Sequence, residues 1–335
     1  MAAFSAKRFS VALSVVLSIT LVFAMAPSPA YAAIAEITNK QASKVLKKYD
    51  ADGYYLVSTM HKYGIDLFRG SADKYDIRYY RTNVHETCHS YFSHLWDNKY
   101  GMRYYYIGNK KRIGVTKKDV FKSYIALKSV PKRLREGRWG EYVGKSNLTV
   151  TANVYGIYGL MDEFTAYCWG MNTIVKLYPY AKAKTTNSGY LNLTSDYSVS
   201  YVEFRYFMEQ YLYYAKKKKP AVYKQIMSDK KLLRAMRAID KKFASAIKAY
   251  DKNVVDYAST NRRFDKYDAE DLEEICGAVS EYNMFVKELL KSRYTAITKA
   301  CGLKNVAERH PFKAWPKTPE LEEESAYTAA RSAVI

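Results

Sequence analysis

The chain has 335 residues, 48% of them hydrophobic, with 34 tyrosines, and its 54 Lys and Arg against 33 Asp and Glu give a net charge of +21. That apolar content is enough for a sizeable core in one large domain or two closely packed lobes. The charge favours anionic partners, but no nucleic-acid-binding motif accompanies it, and a single cluster such as Lys216 to Lys219 reads first as solvated surface.

The N-terminus begins with Lys7 and Arg8, continues through the apolar run Val11 to Ala24, and reaches Ala30-Tyr31-Ala32. This is the pattern of a secretory signal peptide over residues 1–32, cut after Ala32. The run of about fourteen residues falls short of the ~20 needed to span a bilayer, and no later segment approaches that length. No cysteine follows the cut, which leaves a lipid anchor unsupported. Residues 1–32 hold two of the basic residues and none of the acidic ones, so the mature chain carries +19. An exported protein of that charge suits anionic surroundings such as cell-wall polymers.

Residues 33–49 carry a helical rhythm, and Tyr54 to Val57 is a β-prone run. A helix is predicted from Thr82 or Asn83, either of which can cap it, to about Trp96. Met102 to Ile107 and Lys111 to Val115 flank Gly108-Asn109-Lys110, the pattern of a β-hairpin whose edge could receive an extended substrate. Residues 129–148 read as a basic loop. From Asp162 to about Leu177 apolar residues return at spacings of three and four, which predicts a helix. After a polar loop from Thr185 to Ser198, helical patterns follow at 201–215, 228–250 and 268–292, amphipathic helices of a second lobe. Domain organisation is thus a signal peptide (1–32), a catalytic region (33–198), a helical lobe (199–312) and a flexible tail (313–335).

Four cysteines in an exported chain permit two disulfides. Cys276 and Cys301 could close a ~25-residue loop worth about 3.5 kcal/mol in the chain-entropy model. Cys88 and Cys168 read as small buried thiols rather than a pair.

His85-Glu86-Thr87-Cys88-His89 is an H-E-x-x-H string within a predicted helix. Positions i and i+4 share a helix face, so both imidazoles can reach one Zn²⁺ while Glu86 holds a water. A catalytic zinc needs a third protein ligand. Glu163 is the leading candidate, with Asp162 as helix cap or as a partner of a ligand, and Glu203 or Glu209 as fallback. His61, His94 and His310 read as structural or surface residues; His94, five residues after His89, points off the shared face.

H-E-x-x-H followed by Glu163-Phe164-Thr165-Ala166 resembles the gluzincin metallopeptidases, and in particular their lethal-factor-like branch, whose third-ligand glutamate lies in an E-F-x-A helix. The chain departs from that branch at Tyr167, where a second acidic residue is usual, and in the long insertion between the motifs. The resemblance implies His85, His89 and Glu163 as zinc ligands and Glu86 as general base. It implies too that a tyrosine upstream of the third ligand stabilises the oxyanion, for which Tyr155 and Tyr158 are placed. Tyr167 could instead hydrogen-bond a ligand.

The fold expected is α+β and predominantly helical, a zincin-like core with an added C-terminal helical lobe. The function expected is a secreted zinc metallopeptidase acting on peptide or protein substrates. The rival is a non-enzymatic, cationic, wall-binding protein with a structural metal site, closed by a fourth ligand such as Cys88 or His94.

Overall fold

A computed structural model of the chain describes residues 40–68, 77–94, 101–135, 137–144, 149–184, 195–261 and 269–309. The expected signal peptide, His310 and the expected tail lie outside the described residues, as does the side chain of Cys276. The described chain is predominantly helical, with one two-stranded sheet.

Helix α1 (Lys40–Tyr49) buries Ala42, Val45 and Leu46. Helix α2 (Ala51–His61) includes the β-prone Tyr54 to Val57, so that expectation fails. Two contacts explain the helix. One carboxylate oxygen of Asp50 accepts from the Gly53 backbone N–H (3.1 Å) and caps the first turn, while the other accepts from the Thr173 hydroxyl (2.6 Å). Strand propensity expresses fit to a half-buried pleated surface, and here a helix supplies the packing partner instead.

Helix α3 (Ile77–His94) carries the H-E-x-x-H string. It begins before Thr82 and Asn83, which are therefore interior residues and not caps. The hairpin forms as read: β1 (Met102–Gly108) pairs antiparallel with β2 (Lys111–Thr116). Asn109 and Lys110 both take positive φ (53° and 58°), the backbone of a tight turn whose twist matches the strands. Asp52 ties the tip down by accepting from the Tyr106 hydroxyl (2.6 Å) and the Asn109 N–H (2.7 Å).

The basic stretch 129–148 is less irregular than expected. Helix α4 (Ser123–Leu127) leads into a 3₁₀ turn at Lys132–Leu134 and a single π-helical turn at Trp139–Val143. After the short α5 (Thr151–Val154) comes α6 (Ile157–Lys176), which begins five residues before Asp162. Gly156 makes that start possible, because its φ is +53° and a Cβ there would stand 2.5 Å from the Phe121 carbonyl oxygen.

Every residue of α6 from Ile157 to Ile174 is buried. A helix that is apolar nearly all round belongs inside, and α6 is the axis of the molecule: α3, α8 and α10 pack along it. Trp169 also anchors the hairpin there, donating its indole N–H to the Tyr106 carbonyl (3.0 Å).

The remaining elements are α7 (Tyr178–Lys184), α8 (Ser195–Lys218), α9 (Pro220–Met227), α10 (Lys230–Asn261), α11 (Ala269–Leu289), α12 (Ser292–Cys301) and a 3₁₀ turn at Val306–Arg309. α8 runs through residue 199, where the sequence places the start of a second lobe, and packs on α6 as part of one buried cluster. A largely buried polar network holds this side together. Arg205 on α8 donates to Glu209 and to Asp240 of α10, Tyr201 donates to Asp240 (3.0 Å), and Thr298 of α12 donates to Glu209 (2.8 Å). Cys88, Cys168 and Cys301 are buried free thiols, which sets aside the bridge from Cys301 to Cys276. No helix among the described residues is long and apolar enough to cross a membrane.

Candidate metal centre

A period of 3.6 places Arg81, His85 and His89 on one face of α3, four residues apart. That face lies against the N-terminal half of α6, where Asp162 and Glu163 sit in the second turn. His85, Asp162 and Glu163 are buried; His89 and Glu86 are half-buried.

Three atoms converge. His85 Nε2 stands 3.1 Å from His89 Nε2, His89 Nε2 is 3.3 Å from Glu163 Oε2, and His85 Nε2 is 3.9 Å from the same oxygen. The circle through these atoms has a radius of about 2.0 Å, the length of a metal–nitrogen or metal–oxygen bond in sites of this kind. One metal ion could therefore be held by all three residues together. His85, His89 and Glu163 are the group among the described residues that can hold a metal ion.

The outer contacts set the tautomers. His89 Nδ1 is 2.9 Å from Asp162 Oδ2, so Nδ1 carries a proton, and in the neutral ring the Nε2 lone pair faces the site. On the far side of His85, Nδ1 is 3.5 Å from the Tyr197 hydroxyl oxygen, which can accept its proton in the tautomer that leaves Nε2 open to a metal. Glu163 Oε2 is buried without a hydrogen-bond donor. Convergent buried acceptors without a donor are costly unless a cation lies among them.

Charge follows the same logic. Burial drives the His85 pKa well below 6.5, and the charges of His89, Arg81 and Arg138 push it the same way, so His85 is a neutral donor. Burial alone would lower His89 too, but the Glu163 and Asp162 carboxylates outweigh it and lift His89 well above 6.5. Without a metal, the pocket therefore holds a proton on His89. Burial raises Asp162, Glu163 and Glu86 above the ordinary carboxylate range; for Glu86, His89 opposes and Glu163 adds to the rise.

Asp162 takes the outer role given to it, but from inside the helix, where it caps nothing. The fallback ligands are engaged elsewhere: Glu203 accepts from Arg138 (2.9 Å), and Glu209 from Arg205 and Thr298. His94 packs on the ring of Tyr63 (4.4 Å), and His61 lies 3.5 Å from Asp66. Cys88 is buried, and burial pushes its thiol well above 9, which keeps it protonated. Neither Cys88 nor His94 is part of the three-residue group.

The tyrosines differ from expectation. Tyr158 is buried and its hydroxyl accepts from the Lys118 N–H (3.2 Å), while Tyr155 lies under Arg103 and Lys117. Those that reach the metal group are Tyr167, whose ring edge-stacks on His85 at 4.6 Å, and Tyr197. The Tyr167 hydroxyl pairs with that of Tyr142 (3.1 Å), and its ring braces His85. Tyr197 had no local signal. It stands at the start of α8, 112 residues after His85, and only the packing of α8 on α6 unites them. Arg81, one turn before His85, was legible by spacing; its guanidinium lies 4.3 Å over the Tyr197 ring.

Comparison with protein-family models, with curated proteins and with solved structures finds no match to this chain.

Proposed function

We propose that the chain is a zinc-dependent metallopeptidase of gluzincin type, exported, which hydrolyses peptide bonds in protein or peptide substrates. The observation that carries this reading is the convergence of His85 Nε2, His89 Nε2 and Glu163 Oε2 on one point at bonding distance, with Glu86 next to the first ligand. Two imidazoles and one carboxylate suit Zn²⁺ and match the donor set of catalytic rather than structural sites. Zinc held there supplies Lewis acidity and brings the pKa of its water to ~7. On this reading, α3 and the hairpin whose β1 packs on it are the counterpart of a zincin-like core.

The protein groups divide the work. Asp162 and Tyr197 hold the two imidazoles in the tautomer that binds metal. Glu86 takes the proton of the attacking water and returns it to the leaving amine; its burial raises its proton affinity toward that task. A structural site, as in a non-enzymatic wall-binding protein, would need a fourth ligand, and neither Cys88 nor His94 supplies one.

The test combines metal content and cleavage. The purified chain is expected to hold about one zinc, His85→Ala or His89→Ala to lose it, and Glu86→Gln to keep it while cleavage of a peptide library falls by ~10²–10⁴. Full metal content in the histidine variants removes the site, and full cleavage by Glu86→Gln removes the base.

A further inference from the structure

The 32-residue helix α10 turns Leu232, Met236, Ile239, Phe243, Ile247 and Tyr250 into the core, which leaves one long edge to solvent. Along that edge the exposed residues include Lys231, Arg234, Arg237, Lys241, Lys248 and Lys252. Their spacings of three, four and seven keep them in a single line. At 1.5 Å per residue the line is ~32 Å long, with cations mostly ~4.5–6 Å apart along the axis. The acids of this stretch are withdrawn: Asp240 is buried against Arg205 and Asp251 is half-buried. None of the first five cations is within 4.0 Å of a carboxylate among the described residues; Lys252 stands one turn before Asp256, which ends the line.

A solvated helix face ordinarily alternates sign, because like charges three and four apart repel by a few tenths of a kcal/mol per pair. Six cations in register with no exposed acid between them therefore cost stability, and a linear anion laid along the edge reverses that cost. Other partners fit less well. An amphipathic membrane helix sets exposed apolar residues beside its cations, but among the described residues the exposed large hydrophobic ones are Tyr63 and Leu290, neither on α10. Readers of sugar rings or of single-stranded bases present aromatic platforms, and this edge exposes none. What it offers is charge alone, at polymer spacing.

We propose that the solvent edge of α10 binds a linear, base-free phosphodiester polymer. Each phosphodiester is always ionised and presents two open oxygens to Lys or Arg. The proposal is independent of the metal centre.

The test is equilibrium binding of the full-length chain to poly(glycerol phosphate) across a salt series. Lys231→Glu/Arg234→Glu/Lys241→Glu/Lys248→Glu, all at exposed positions, is expected to weaken binding by at least tenfold and to flatten the slope of log affinity against log salt by about 0.7 per cation removed. A charge-matched control at Lys40, Lys44, Lys47 and Lys48 on α1 is expected to lose much less. Equal loss in both variants reduces the effect to net charge and overturns the proposal, as does wild-type affinity in the α10 variant. Equal or tighter binding of hyaluronate, duplex DNA or phosphatidylglycerol vesicles by the unaltered chain overturns the choice of polymer.

Discussion

The ring of Tyr197 lies in a notch in α6 left by Gly170: a Cβ on residue 170 would stand 2.5 Å from Tyr197 Cε1. The notch lets the tyrosine hydroxyl reach within 3.5 Å of His85 Nδ1 while its ring packs on Tyr167 and under Arg81. A missing methyl group two turns beyond Glu163 thus bears on the orientation of His85, which another helix contributes.

Tyr197→Phe keeps the ring and removes the hydroxyl. It is expected to weaken zinc binding ~10–100-fold, the usual effect of deleting an outer-shell partner, with the unfolding temperature of the metal-free chain little changed. Gly170→Ala is expected to loosen zinc similarly and to cost a further ~1–3 kcal/mol in stability through overpacking. Chelator competition and thermal unfolding read the two effects separately. Wild-type zinc affinity in Tyr197→Phe would show that the contact orients nothing.

Asp162→Asn preserves shape but allows the amide to offer N–H as well as C=O to His89. Loss of the charge that favours Nδ1–H is expected to lower zinc affinity ~10–100-fold and, in the metal-free chain, to bring the His89 pKa down. Metal titration and histidine NMR check the two consequences, and an unmoved His89 resonance would assign its raised pKa to Glu163 alone.

Stability of the metal-free chain is expected to depend on pH through His89. Its folded pKa lies well above 6.5, since Glu163 and Asp162 outweigh the lowering by burial, while the unfolded value is ordinary. A raised folded pKa means the native state binds the proton more tightly. The contribution is complete below about 6.5 and is lost as pH rises toward the folded value. His85, neutral in both states above 6.5, does not offset this. Unfolding curves in chelator should therefore fall in midpoint as pH rises past neutrality, and saturating zinc, which replaces the proton, should flatten the trend. A midpoint that climbs over this range would contradict the charge assignment.

The buried Arg205 network makes a non-additive prediction. Asp240→Ala leaves the guanidinium inside with one carboxylate partner fewer and is expected to cost ~3–5 kcal/mol. Combining Arg205→Met with Asp240→Leu removes both charges and should cost less than the single change, because the desolvation penalty goes with them. Urea denaturation of the three proteins measures the difference.

Local pattern carried a good deal of this molecule. The period of three and four residues located α6, α8 and α11 to within several residues and the start of α10, which runs on to Asn261, well past the expected end at 250, and Gly108-Asn109-Lys110 located the hairpin turn, because amphipathicity and turn chemistry act over short spans. Helix starts were less legible. α3 and α6 begin five residues before Thr82 and Asp162, since tertiary burial can carry a helix past a residue able to cap it. Tyr54 to Val57 misread as strand for the same reason: Asp50 answers to Thr173 on a helix more than a hundred residues away.

At the metal centre, sequence by itself determined which residue types stand together on one helix face, since i and i+4 are neighbours in any α-helix. It thereby named His85, Glu86 and His89, and the acidic pair at 162 and 163 offered the leading candidate for a third donor. Only the tertiary structure decided that Glu163 and not Glu203 or Glu209 meets the histidines, and that Tyr167 and Tyr197 stand beside His85 where Tyr155 and Tyr158 do not. Those choices depend on how α3 and α8 seat on α6. That seating is set by the packing of side chains from all three helices at once, which no window of neighbouring residues contains.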